Sequence, residues 1–242
     1  MKKLIVSLGL ILTLSFGATL DEGLKAVNKG DYQTAITIFE DLAYKNDVNA
    51  QNNLGVMYQH GYGVKQDYKK SKEWYEKAAA QNNANAQYNL GNIYSNGYGV
   101  KQDYKKAKEW YEKAASKNDA KAQYNLGLIY FNGYGVKQDY FKAKELWEQS
   151  ATQGLAASQY NLGLMYFNGY GVKQDYSKAK ELWEKASIQG NSDAHNNLGV
   201  IYKYGLGVKK DLTKAKQFYG KSCDGGDQKG CDNYKKLNEE GY

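Results

Sequence analysis

A motif reading Gln-Tyr-Asn-Leu-Gly-x-x-Tyr-x-Asn-Gly-Tyr-Gly-Val-Lys-Gln-Asp-Tyr returns along this chain with an unvarying 36-residue period, which its Leu-Gly pairs mark. These are Leu54-Gly55, Leu90-Gly91, Leu126-Gly127, Leu162-Gly163 and Leu198-Gly199. A constant period of this length belongs to stacked supersecondary units, each of which buries its apolar face only against its neighbours. Function is therefore to be sought on a surface that repeats as well.

Each unit reads as two helices. In the one that begins near Ala84, Ala86, Leu90, Ile93 and Tyr94 fall at the intervals of one helical face, defining helix A. Asn96-Gly97-Tyr98-Gly99 breaks it, since glycine tolerates the left-handed backbone that closes a helix. Asp103 is expected to cap helix B, whose buried stripe is Tyr104, Ala107, Tyr111 and Ala114, with Glu109 paired to Lys113 outside. Gly91 costs about 1 kcal/mol in mid-helix. Its return in every unit predicts a close approach of helix A to helix B. The chain has no proline, so Gly, Asn and Asp must set all boundaries.

Residues 1–18 read as a signal peptide, with Lys2 and Lys3 ahead of an uncharged run from Leu4 to Phe16 that is too short to be a membrane span. Its removal would take the formal charge from the +7 of the full chain to about +5, a mild excess that reads as a solvated face rather than a nucleic-acid or membrane footprint. The remaining 19–242 divide into a short first hairpin (19–46), five 36-residue repeats (48–226) and a capping helix (227–240). Cys223 and Cys231 are the only cysteines, and in an exported chain so close a pair is expected to form a disulfide that pins the end of the stack.

The run at 86–115 follows almost letter for letter Ala-x-x-Asn-Leu-Gly-x-x-Tyr-x-x-Gly-x-Gly-Val-x-x-Asp-x-x-Lys-Ala-x-x-Trp-Tyr-x-Lys-Ala-Ala. It resembles the Sel-one-like repeat (SLR) family, relatives of the tetratricopeptide repeats. The resemblance implies an all-α, right-handed superhelical α/α solenoid whose usual role is to hold other proteins together. Cys223 and Cys231 also resemble the pairs of a secreted, cysteine-rich bacterial branch that is associated with penicillin binding and β-lactamase activity.

Asn53, Asn89, Asn125, Asn161 and Asn197 stand one per helix A, just before the Leu-Gly pair, where asparagine is a poor helix former. By resemblance this position faces a concave groove, where an amide can both donate to and accept from an extended peptide. The competing reading is that each Asn bonds the neighbouring repeat or a backbone carbonyl and merely holds the stack. Tyr88, Tyr124 and Tyr160 precede three of these residues and either add flat contact area in the groove or pack between repeats. Asp67, Asp103, Asp139, Asp175 and Asp211 suit helix capping and form no catalytic pair. His60 and His195 lack ligand-spaced partners, so neither a metal site nor any cofactor is expected. Ser177-Lys178-Ala179-Lys180 fits Ser-x-x-Lys, but Ser-Asp-Asn and Lys-Thr-Gly are both missing.

The sequence thus points to an exported, non-enzymatic scaffold, a monomer in the periplasm or outside the cell, that holds a peptide or protein segment in its groove through the Asn ladder. The partner is a protein, with no nucleic acid and no membrane insertion once the leader is removed. The alternative is a penicillin-binding protein or weak β-lactamase.

Overall fold

Short polar side chains write the helix starts, and residues with left-handed backbone write the ends. In a computed structural model, which describes residues 17–242, the helices are α1 (Leu20–Asn28), α2 (Tyr32–Tyr44), α3 (Val48–His60), α4 (Tyr68–Ala80), α5 (Ala84–Asn96), α6 (Tyr104–Ala115), α7 (Ala120–Asn132), α8 (Tyr140–Thr152), α9 (Ala156–Asn168), α10 (Tyr176–Ile188), α11 (Ser192–Tyr204), α12 (Leu212–Asp224) and α13 (Gln228–Glu239). Among the described residues there is no strand. The leader assigned to 1–18 falls on residues 1–16, which lie outside the described residues, and on Gly17 and Ala18.

Asp103 caps α6 as expected, its Oδ1 accepting from the backbone N–H of Lys105 and of Lys106 at 3.0 Å each. Asp67 caps α4 in the same way, and Asp139, Asp175 and Asp211 cap α8, α10 and α12 by accepting from Lys142, Lys178 and Lys214 N–H, respectively. At the end of α7, Gly133 takes φ +73 and donates to Ile129 O, and the turn folds back until Asp139 N–H reaches Tyr130 O at 2.8 Å. The turns that lead from one repeat to the next need the same left-handed backbone. Asn46, Asn82 and Asn118 supply it in the earlier repeats, and Gly154, Gly190 and Gly226 in the later ones.

The chain forms two compact units, one ending at Ala86 and the other spanning Gln87–Tyr242, with the boundary inside α5. In the first, Ala35, Ile36, Phe39, Leu54 and Met57 form the core. In the second, the core consists of one layer per repeat, such as Ala107, Tyr111, Leu126 and Ile129, then Trp147, Leu162 and Met165, then Trp183, Leu198 and Ile201. Each buried layer is the helix-B aromatic set between the aliphatic faces of helix A.

The mid-helix glycine is explained by that aromatic. A methyl group on Gly127 would overlap the Trp147 indole, and one on Gly91 would overlap the Tyr111 ring. Gly55 faces Tyr75, Gly163 faces Trp183 and Gly199 faces Tyr219 in the same manner. The helical cost of each glycine is offset by complete burial of a large ring, worth some 2–3 kcal/mol in transfer free energy. The outer-face ion pair differs from the one the spacing suggested. Lys108 pairs with Glu112 at 2.8 Å, whereas Lys113 stands over the Trp110 ring at 4.1 Å.

Candidate functional site: the helix-A face

The helix-A side chains that are not sealed into the core fall on one stripe of each helix, i, i+4 and i+7. On α7 these are Tyr124, Leu128 and Phe131, with Asn125 beside them, and on α9 Tyr160, Leu164 and Phe167, with Asn161 beside them; all are half-buried. Asn53 on α3 and Asn89 on α5 are half-buried at the same helical position.

Within 87–242 Asn125, Asn161 and Asn197 are joined from repeat to repeat. Asn125 Nδ2 donates to Asn92 Oδ1 and to Tyr111 Oη on the preceding helix pair, each at 3.2 Å. The Asn161 amide faces the Tyr124 hydroxyl, and the Asn197 amide faces that of Tyr160, in each case offsetting part of the rise that burial gives the phenol pKa. Burial is the larger effect in both. Asn233 on α13 donates to Asn196 Oδ1 at 3.0 Å, which makes it a further rung of the same ladder. It stands 36 residues after Asn197, but the Leu-Gly pair that marks the register elsewhere is missing from the cap. Register counting alone would have found it.

Tyr88, Tyr124 and Tyr160 pack against the helix-B aromatic below them. The Tyr88 ring lies 6.0 Å from that of Tyr111, and Tyr160 lies 6.5 Å from Trp183. The identity of that helix-B aromatic sets the polarity of the face above it. Tyr111 passes the Gly91 gap and donates through its hydroxyl to Asn92 Oδ1 at 2.7 Å, with Ser95 Oγ at 3.2 Å. Trp147 and Trp183 instead donate Nε1 to the backbone carbonyls of Tyr124 and Tyr160, at 3.0 and 3.1 Å. No helix-B hydroxyl emerges there, and beside Tyr124 and Tyr160 the face carries Leu128 with Phe131 and Leu164 with Phe167. The repeats therefore differ in chemistry along this stripe, a variation hidden beneath the near-identity of the motif.

A second ladder of amides closes the opposite end of the units. Gln153 Nε2 donates to Gln123 Oε1 at 2.8 Å and to Asn118 Oδ1 at 3.1 Å, and Gln189 repeats the contact to Gln159 at 3.0 Å. Gln123 and Gln159 are buried, so these bonds satisfy groups that water cannot reach. Their 30-residue and 35-residue separations are visible only once the helices are paired.

Ser177 is exposed at the start of α10, and the Lys180 ammonium is held by Glu184 at 2.8 Å. The Ser-x-x-Lys arrangement is not assembled as a nucleophile with its base, and nothing else supports the β-lactamase alternative. Among the described residues there is no cluster of His, Cys, Asp or Glu fit to hold a metal ion, and no helix is long and apolar enough to cross a membrane. Cys223 and Cys231 form a disulfide that joins α12 to α13.

Tandem α–turn–α pairs that share one layered core per repeat define an α-solenoid repeat protein. The Sel1 repeat model matches residues 48–83, 84–119, 120–155, 156–191 and 192–227, and the chain belongs to the Sel1 repeat family. It is similar to a protective antigen present in uropathogenic Escherichia coli strains that displays an SLR fold, with 36% identity and a TM-score of 0.83; the match covers 92% of this chain and 49% of that one. The chain thus spans about half the length of that relative. It is also similar to a Sel1 repeat protein from Oxalobacter formigenes, with 32% identity, a TM-score of 0.81 and coverage of 92% and 98% of the two chains. A Sel1 repeat protein from Klebsiella pneumoniae, at 24% identity and a TM-score of 0.55 over 83% of this chain and 97% of that one, shares the fold. No curated protein matches. Sel1 repeats generally serve protein–protein interaction.

Proposed function

We propose that the helix-A face is the binding surface, and that it holds an extended protein segment in the groove of an exported scaffold that acts as a monomer in the periplasm or outside the cell. One observation carries the reading. Successive helices A present the same half-buried positions in register, Asn125 with Tyr124 on α7 and Asn161 with Tyr160 on α9, beside apolar Leu128 and Leu164. An extended chain has amides at a regular pitch and side chains that alternate, so a surface with alternating amide and apolar positions meets both.

The cross-repeat bonds of Asn125 change how the ladder would act. An asparagine already tied to its neighbour is a preorganised contact with little side-chain entropy left to lose when a partner arrives. Specificity would come from α7 and α9, where the Trp-backed repeats leave apolar faces, flanked by the polar Asn92 and Ser95 of α5. The Cys223–Cys231 bond supports an oxidising compartment. Description of the E. coli relative as a protective antigen fits the same placement.

Replacement of Asn89, Asn125 and Asn161 by Ala, and separately of Leu128 and Leu164 by Ser, followed by crosslinking capture from the cell envelope and mass spectrometry, tests the reading. Loss of the same captured protein in both sets, at unchanged helix content, is the expected result. Capture that survives both sets removes this face from the account.

A further inference from the structure

The net charge reads as a solvated face without a membrane footprint, but within 87–242 the positive charge is not evenly spread. Within 87–242 there are 23 lysines and 17 acidic residues, an excess of six. The four segments that contain the A-to-B turn and the first turn of helix B, at 96–106, 132–142, 168–178 and 204–214, carry ten of those lysines and four aspartates. The whole excess of six is therefore found there, and the remainder is neutral.

These segments form one edge. Gly135 lies against Tyr104 at the start of the preceding helix B, Gly171 against Tyr140 and Gly207 against Tyr176, so each turn seats on the one before it. Tyr134 stacks on Tyr104 at 4.8 Å and Tyr170 on Tyr140 at 5.6 Å along the same row. Every one of the ten lysines is exposed, and among the described residues none is in an ion pair. The aspartates are engaged as helix caps, Asp103, Asp139 and Asp175 half-buried and Asp211 exposed. Lys142, Lys178 and Lys214 are steadied over Tyr130, Tyr166 and Tyr202 at 5.0, 5.0 and 4.5 Å. Three shallow depressions of about 580, 660 and 520 Å³ follow one another here, and each is lined by lysines.

From this juxtaposition we infer that the turn edge of 87–242 docks on a lipid bilayer surface rich in anionic headgroups. Three features favour a bilayer over other polyanions. The chain has no arginine, so the edge offers point charges to headgroup phosphates and no bidentate forks for a particular anion. The Phe141 ring stands 75% exposed in the same depression as Lys137 and Lys142, where an apolar tip gains nothing from a hydrophilic polymer but can enter the interfacial layer of a membrane. Tyr134 and Tyr170, 44% and 40% exposed, are amphipathic rings suited to the same layer. Docking leaves the chain peripheral. The helix-A positions Tyr124, Asn125 and Leu128 lie outside this edge and stay open to a protein partner, while Phe131 borders it through Tyr140 and Tyr170.

The test is sedimentation of the mature chain with phosphatidylcholine vesicles made with and without phosphatidylglycerol, at low and high salt. Binding is expected only with phosphatidylglycerol and is expected to fall steeply with salt. The triple variant K137Q/K173Q/K209Q, folded by circular dichroism, should lose roughly a hundredfold in vesicle affinity, and F141S several-fold with the salt dependence retained. Equal binding to phosphatidylcholine alone overturns the inference, as does an unaffected lysine variant. Retention on dextran sulfate without retention on vesicles also overturns it and assigns the edge to a soluble polyanion.

Discussion

Trp147 donates its indole N–H to the backbone carbonyl of Tyr124 at 3.0 Å, across the α7–α8 pair, and the same indole occupies the space a side chain at Gly127 would need. One residue thus fixes the spacing of the helix pair, satisfies the only polar atom it buries, and leaves the face above it apolar. In α5 and α6 the equivalent relationship uses Tyr111 and ends in a polar face.

Gly127→Ala should destabilise the protein although alanine is the better helix former. Overpacking at full overlap with a buried indole falls near 3 kcal/mol, against about 1 kcal/mol gained in helix propensity. A net loss of about 2 kcal/mol is expected in urea denaturation, and a stabilised variant would mean that helix A does not approach helix B this closely.

Tyr111→Phe removes the acceptor of Asn125 and the donor to Asn92 together. Leaving those amides short of partners should cost about 1–2 kcal/mol. In a double-mutant cycle with Asn125→Ala the coupling should be at least 0.5 kcal/mol, and strict additivity would contradict the cross-repeat bond.

Reduction of the disulfide, or Cys223→Ser with Cys231→Ser, should cost roughly 2–3 kcal/mol in the chain-entropy account of so short a loop. Release begins at the end of the stack. Hydrogen exchange at 228–239 should quicken before that of α11 and α12, and uniform quickening throughout would show that the bond does not act locally.

Alkaline pH should unfold the chain through its buried phenols. Burial pushes Tyr111 from 10.0 up to about 12, and it raises Tyr75 and Tyr219 as well. The unfolded chain releases these protons near pH 10 while the folded one holds them, so folding stability is full below pH 10 and is lost as pH rises from 10 through 12. Titration followed by tyrosinate absorbance should show a late fraction that collapses with helix content. If Tyr111→Phe leaves that fraction and the midpoint unchanged, the assignment fails.

Much of this was legible in the residues. The 36-residue period gave the helix pairs, Asp103 and its counterparts gave the helix starts, and Gly91 and its counterparts gave the close approach, because each is a local rule with one physical cause. The partner assigned to Lys113 was not legible, since Glu109 and Trp110 are both within reach on a helix surface and only the packed rotamer selects the ring. Asn233 escaped for a related reason, because the cap keeps the rung and drops the flanking motif.

By itself the sequence determined that the chain would be a run of α-helix pairs ending in a disulfide-pinned cap, for periodicity, capping and glycine placement act over a few residues. Only the tertiary structure decided that the asparagines bond from repeat to repeat, that Trp147 and Tyr111 give their helix-A faces opposite polarity, and that a mild net charge gathers on a single edge. Those depend on residues some 14 to 37 positions apart meeting in space, and no local pattern encodes which atoms come together.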